Sequence, residues 1–269
     1  MAANLALSVK LNDPSRPVTL LYKNGDELPD GVAAHFDHCA PFENPDDYPG
    51  VTIKLGIYEP TPYAEAMYVD ADCLIMKRDM DRHWAKYGVQ DFNLSGVTCT
   101  SGAYYGCDVK AMMAAAGVDY FVAGNCGALF FRKNSGGEKM FRDARAYLAE
   151  RHPDLIETRP RRGDGLSDQP YFSAAMARNG LQPVSYTAEE GTVMATTYLA
   201  KDIDFDLAAG RGLLKKPTGF RVMNRLWAKG WVAHDTSIAH FIDLKPLRVY
   251  QRLSDWLRDR FGMPRYVFE

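Results

Sequence analysis

The sequence predicts an α/β fold, with a mainly parallel central sheet and helices on both faces. Three observations carry that prediction. Short apolar runs of strand length alternate with segments of helical periodicity. Several of the helical segments bring their own start and stop residues. The 269 residues are 46% apolar and 25% charged, enough for a large core and ordinary for a globular chain.

Taken in order, Ala2–Leu11 reads as a short helix with Leu5 and Val9 on one face. Pro17–Tyr22 (PVTLLY) reads as a buried strand, and a polar, proline-rich stretch follows from Asn24 to Gly50. Ala66–Val69 is a strand that stops at Asp70, and Phe92–Cys99 and Gly127–Arg132 are further strands. Asp108 caps a helix that Gly117 ends, because glycine tolerates the left-handed backbone there. Ser135 and Glu138 form an S-x-x-E capping box, with Met140, Phe141, Ala144, Tyr147 and Leu148 at helical spacing behind it. Asp168–Asn179 is another helix, ended by Gly180, and Ser254–Phe261 is a short C-terminal one. Asp202–Asp206 alternates acid and apolar, as a half-exposed strand does. No repeat or long linker divides the chain, so residues 1–269 are expected to form a single domain.

A formal net charge of −2 means that bulk charge does not predict binding to nucleic acid or membrane, though local charge can still provide it. No apolar run approaches bilayer length, and the N-terminus lacks the regions of a signal peptide, so no stable membrane insertion is expected. The five cysteines are odd in number and form no CxxC pair, which fits reduced thiols and a cytoplasmic location. His35-Phe36-Asp37-His38-Cys39 has metal-ligand residue types but no second cluster at zinc-like spacing. Leu207–His234 holds Arg211, Lys215, Lys216, Arg221, Arg225 and Lys229 without an acid, interleaved with Phe220, Trp227 and Trp231. Arg159, Arg161 and Arg162 form a second basic group. These are either solvated faces or a surface for an anionic acceptor such as a phosphorylated glycan or nucleic acid.

Asp70-Ala71-Asp72 stands where an apolar strand ends. Alone, such a triplet is as often a solvated turn as a cation site. At the carboxyl end of a strand, a carboxylate pair can hold a hard cation such as Mn²⁺ or Mg²⁺ against a diphosphate. The neighbouring residues favour that second reading. Tyr68-Val69-Asp70-Ala71-Asp72-Cys73-Leu74-Ile75 resembles the Y-[LV]-D-A-D-x-[LV] signature of GT-A (Rossmann-like) glycosyltransferases, specifically retaining family 8. Three stretches in family order extend the resemblance: Phe121–Phe131 (FVAGNCGALFF), Ser167-Asp168-Gln169, and His240-Phe241-Ile242-Asp243-Leu244-Lys245-Pro246.

The resemblance implies a site residue by residue. Asp70, Asp72 and His240 match the metal ligands, with Mn²⁺ (or Mg²⁺) as cofactor. Asp70, Lys54, Asn125 and Lys245 match donor-binding positions, and Asp168 and Gln169 the pair around the transferred sugar. The implied partners are a nucleotide-sugar, most simply a UDP-sugar, and an acceptor that is a glycan or a hydroxylated base in viral DNA. A non-catalytic glycan binder of the same fold is the alternative from another class. The chain departs from the family in several places. Asp243 replaces a glycine, and the interval from His240 to Lys245 is one residue short. His234-Asp235 also offers a rival imidazole. The family's first strand is missing too: the sequence opens in what reads as the helix after it. Either that strand lies ahead of the sequence, or another segment forms that wall of the nucleotide pocket.

Overall fold

The computed structural model describes every residue except 30, 44–47, 49, 151–166, 186–191, 223–224 and 269, and leaves out the side chains of 192 and 219–228. Helix α1 (Ala2–Asn12) forms where the periodicity places it. Its Leu7 and Leu11 pack with Tyr250, Leu253 and Leu257 of the C-terminal helix α6 (Leu247–Arg260). Strand β1 (Thr19–Lys23) pairs in parallel with β2 (His38–Phe42). The sequence predicts a buried strand here, but the strand is half-buried, because a single partner strand covers it.

Two larger sheets follow. The first has the order β3 (Glu65–Val69), β8 (Phe121–Arg132), β5 (Phe92–Cys99), β9 (Val184–Ser185). The second has the order β10 (Thr192–Thr196), β13 (Arg225–His240), β12 (Arg211–Val222), β11 (Lys201–Asp206), and β4 (Cys73–Ile75) also pairs with β13. A small ribbon joins β6 (Ala103–Tyr104) to β7 (Cys107–Asp108). Helices α3 (Val109–Ala116), α4 (Ser135–Glu150) and α5 (Gln169–Arg178) cluster on one face of the first sheet, where Leu129 and Phe131 of β8 meet Phe141 and Phe172. The next residues of β8, Ala128 and Phe130, point the other way, as strand geometry requires. They pack with Ile75, Ile238 and residues of α2 (Met80–Tyr87). Helices α1 and α6 close the far side.

The expectation of a mainly parallel sheet is corrected. Among the described residues β1–β2, β5–β9 and β10–β13 are parallel, while β3–β8, β5–β8, β4–β13, β12–β13 and β11–β12 are antiparallel. The reason is visible between β5 and β8. Cys99 pairs with Phe121, so the chain that carries α3 re-enters the sheet at the end it left, not at the opposite end as a parallel crossover must.

Other expectations are adjusted rather than reversed. The Asp108 cap holds, its carboxylate accepting from the Lys110 and Ala111 amides, and Gly117 ends α3 at φ 64°. The capping box at Ser135 does not form. Asn134, one residue earlier, accepts from the Gly137 amide and caps α4, and Ser135 lies inside the helix. The strand expected from Gly127 starts at Phe121, and the C-terminal helix starts at Leu247, directly after Pro246.

Two features position the site. The pairing of β8 with β5 jumps from Leu129↔Leu94 to Asn125↔Ser95, so Cys126, Gly127 and Ala128 bulge out of that ladder. The bulge turns the Gly127 carbonyl to the Asp70 amide, 2.9 Å away, where β3 ends. The second feature is a cavity of about 350 Å³ between β1 and β3, lined by Leu20, Leu21, Met67, Val69, Leu5 and Trp84. No backbone hydrogen bond joins β1 to β3 among the described residues. The Thr19 hydroxyl and Tyr63 Oη, 2.7 Å apart, link the segments beside it.

Candidate metal and donor site

Asp70-Ala71-Asp72-Cys73 forms a tight turn between β3 and β4, closed by the Cys73 amide donating to the Asp70 carbonyl at 2.9 Å. The Phe241 amide donates to the Asp72 carbonyl at 3.0 Å, tying the turn to the end of β13. In the β4–β13 register His240 sits opposite Cys73. That pairing brings His240 Nε2 to 3.2 Å from Asp72 Oδ1 and 3.8 Å from Asp70 Oδ2. The three predicted metal ligands therefore converge. The rival His234-Asp235 stands farther up β13, where Asp235 pairs with Lys77.

The donor set suits a divalent cation of the Mn²⁺ type: two carboxylates and an imidazole. The space for the ring is cut by Gly127, where a Cβ would come 2.7 Å from His240 Nδ1. Among the described residues buried His240 Nδ1 has no hydrogen-bond partner.

Behind the carboxylates lies Lys54, on the short 3₁₀ segment Gly50–Gly56. The family resemblance puts a basic residue on a helix facing the donor. Here the side chain is instead only 8% exposed. Its Nζ is 2.8 Å from Asp70 Oδ1, 2.9 Å from Asp70 Oδ2, 3.3 Å from the Cys126 carbonyl and 3.3 Å from Asp168 Oδ2. Burial alone would lower the pKa of this lysine, but Asp168 and Asp70 outweigh it and hold the ammonium well above its ordinary value. Asp168 is itself almost fully buried, and burial pushes its carboxyl up against the pull of Lys54. Its Oδ2 is buried and lies at ion-pair distance from Lys54. Asp168 does not cap α5 with its side chain.

Tyr68 Oη donates to Asp70 Oδ1 at 2.9 Å. Burial and then Asp70 raise the pKa of that phenol, so it stays a donor. Asn125 Oδ1 accepts from the Gly127 amide at 2.8 Å and so shapes the bulge. Tyr104, from the β6–β7 ribbon, puts Oη 2.7 Å from the Gly124 carbonyl and 3.1 Å from Gln169 Oε1. The sequence reading missed Tyr104; only the small residues around it, Gly102 and Gly106, mark a turn there.

Lys245 is not drawn into the carboxylate cluster. Its side chain is exposed and its Nζ lies 3.3 Å from Asp243. Asp243 has φ 54°, a left-handed backbone that favours glycine, which accounts for a glycine being usual at such a position. Among the described residues the His35–Cys39 stretch forms no metal-ligating group. Three side chains of the basic stretch on β12 and β13 have partners within the protein. Arg211 pairs with Asp204 and Asp206, Lys215 with Asp202, and Lys216 donates to the Thr196 and Tyr198 carbonyls. Arg159, Arg161 and Arg162, and the side chains of Arg221, Arg225, Phe220 and Trp227, lie outside the described residues. All five cysteines are free thiols, and no described helix is long and apolar enough to cross a membrane.

No protein-family model and no curated protein sequence matches this chain. Two solved structures are similar to it. One is the galactosyltransferase LgtC in complex with donor and acceptor sugar analogs, at TM-score 0.52 and 12% identity over 95% of this chain and 92% of that one. The other is an active-site mutant of LgtC, at TM-score 0.53 with the same identity and coverage. What that likeness establishes is the architecture: this chain has the GT-A fold of those structures.

Proposed function

We propose that the chain, acting as one 269-residue unit, is a metal-dependent glycosyltransferase. It moves a hexosyl or pentosyl group from a nucleotide-sugar, most simply a UDP-sugar, to an acceptor hydroxyl with retention of configuration. The observation that carries this reading is the convergence of Asp70, Asp72 and His240 at the end of β3, backed by the buried Lys54–Asp168 pair. The GT-A fold supports it. Free cysteines suit a reducing, cytoplasmic setting.

Asp70, Asp72 and His240 would hold Mn²⁺ or Mg²⁺, which when bound supplies Lewis-acid stabilisation to the departing diphosphate. Lys54 fixes the Asp70 carboxylate through both oxygens and, with Tyr68, orients it toward the cation. Asp168 and Gln169 are the pair beside the transferred sugar, Asp168 held by Lys54 and Gln169 by Tyr104. Asn125 contributes through the bulge it stabilises, and exposed Lys245 meets the donor phosphates by leaving Asp243. Among the described residues no side chain is arranged as a covalent nucleophile; in this reading the acceptor hydroxyl attacks on the face the diphosphate leaves, with a phosphate oxygen taking its proton.

A donor screen tests the reading. Protein with Mn²⁺ is mixed with a panel of nucleotide-sugars, and diphosphate release and thermal shift are measured. Turnover or stabilisation by at least one donor is expected. Asp72→Asn should abolish the metal-dependent response while the fold stands. A folded protein that responds to no donor would overturn the proposal.

A further inference from the structure

The ligand atoms that lie closest together in the site are not those of the two aspartates. Asp72, Cys73 and His240 each place one ligand atom within 4.8 Å of the other two. Cys73 is fully buried and sits opposite His240 across β4 and β13. Asp70 is the more occupied carboxylate. Both of its oxygens contact Lys54, and Oδ1 also accepts from Tyr68.

We infer that Cys73 is a cation ligand beside Asp72 and His240, and that the site binds thiophilic divalent cations such as Zn²⁺ or Cd²⁺ through its sulfur. This rests on the reading of Asp72 and His240 as metal ligands and extends it. The physical reason is softness: thiolate sulfur favours Zn²⁺ and its heavier analogue, whereas carboxylate and water favour Mg²⁺ and Mn²⁺. Binding converts the thiol and the free cation to a sulfur–metal bond and one proton released to solvent, so the balance needs no oxidant or reductant. Two cation classes would then compete for one place, the soft one held through Cys73 and the hard one through Asp70.

The test uses the full chain with Cys39→Ser and Cys99→Ser, which removes the two cysteines that are not buried. Cd²⁺ is titrated while thiolate-to-cadmium absorption is followed in the ultraviolet and bound Mn²⁺ by electron paramagnetic resonance. One equivalent of Cd²⁺ should bring up the absorption and displace Mn²⁺. Adding Cys73→Ser should remove the absorption and weaken Cd²⁺ binding by at least about tenfold, a loss that even outer-shell changes reach. Adding Cys107→Ser, a buried cysteine outside the cluster, should leave both intact. If Cys73→Ser fails to fold, cadmium NMR on the Cys73-bearing protein decides, because its shift separates a sulfur-containing shell from one of oxygen and nitrogen. Displacement of Mn²⁺ by Cd²⁺ without absorption or a sulfur shift overturns the role of Cys73 and leaves the cation site standing. Absorption without displacement of Mn²⁺ places the thiolate elsewhere and also overturns it. Failure of Mn²⁺ itself to bind removes the underlying reading instead.

Discussion

Strand β8 is hydrogen-bonded along both edges, to β3 and to β5, and is buried over most of its length. Strand β1 is bonded along one edge, to β2, and faces a cavity of about 350 Å³ on the side of β3. Both regions contribute to the surroundings of the acidic turn, but only the first grips it. Asp70 is held by the Gly127 carbonyl, Lys54 and Tyr68, all on or packed near the β3–β8 side. The metal side of the site is therefore built on close-packed structure, and the side toward β1 is not. The difference teaches that a charged turn needs a rigid strand behind it, while a ligand-facing wall can remain open.

Core substitutions should break or sharpen that contrast most. Phe141 is fully buried and touches Tyr58, Phe92, Phe131 and Phe172. Phe141→Ala should cost about 3–5 kcal/mol in urea unfolding. Leu21→Ala, in half-buried β1, should cost less than about 1.5 kcal/mol, since partial burial carries a smaller transfer term. Equal losses at the two positions would erase the distinction.

Next in size is a pH effect at α2. His83 is fully buried, with Nε2 2.7 Å from Ser237 Oγ on β13 and Asp79 at the same hydroxyl. Burial, against the pull of Asp79, lowers its pKa to about 4. The folded pKa lies below the unfolded one, so the unfolded chain binds the extra proton between pH 6.5 and 4. Stability is lost as pH falls through that window, by about 2 kcal/mol from pH 7 to pH 5. Chemical unfolding at the two pH values measures it, and His83→Gln should flatten the slope.

A smaller change should act on the site alone. In Gly127→Ala the new Cβ meets His240 Nδ1 at 2.7 Å, and the ring must move. Titration should show Mn²⁺ binding weakened about tenfold or more, with the melting transition little changed. Unaltered affinity would mean that His240 takes no part in holding the cation.

The smallest effect is expected at Asp168. Its raised pKa means that the ionised carboxylate costs the folded state, and stability falls as pH rises from the unfolded value through the folded one. Asp168→Asn relieves that cost but takes one of two counter-charges from buried Lys54, which keeps Asp70; the two effects oppose, so thermal unfolding at neutral pH should change less than for the variants above. A loss of several kcal/mol would show that Lys54 depends on both carboxylates for its burial.

Where the chain's signals are local, the sequence is readable. Asp108 and Gly117 bracket α3 because a cap and a left-handed stop act within a few residues. The turn at Asp70, the strand before it and the spacing that builds α4 are of the same kind. Local signals fail where two neighbours compete, as when Asn134 takes the cap that Ser135 was equally suited to give. They fail again at β12 and β13, where a run of basic residues conceals a long hairpin, with Arg211 and Lys215 met by acids of β11. Lys54 is recognisable as a base upstream of the acidic turn, but not as a buried ion pair with Asp168. Tyr104 leaves almost no trace.

By itself, the sequence determined the acidic pair at a strand end, the order of the site segments, and most helix limits, because those depend on periodicity and on capping over a few residues. Tertiary structure alone decided the strand directions, the burial of Lys54 between Asp70 and Asp168, and the placing of His240 and Cys73 beside Asp72. Ladder direction is set by where a connection returns, and a buried charge by which distant partner offsets its lost hydration. Neither quantity exists until the chain has closed on itself.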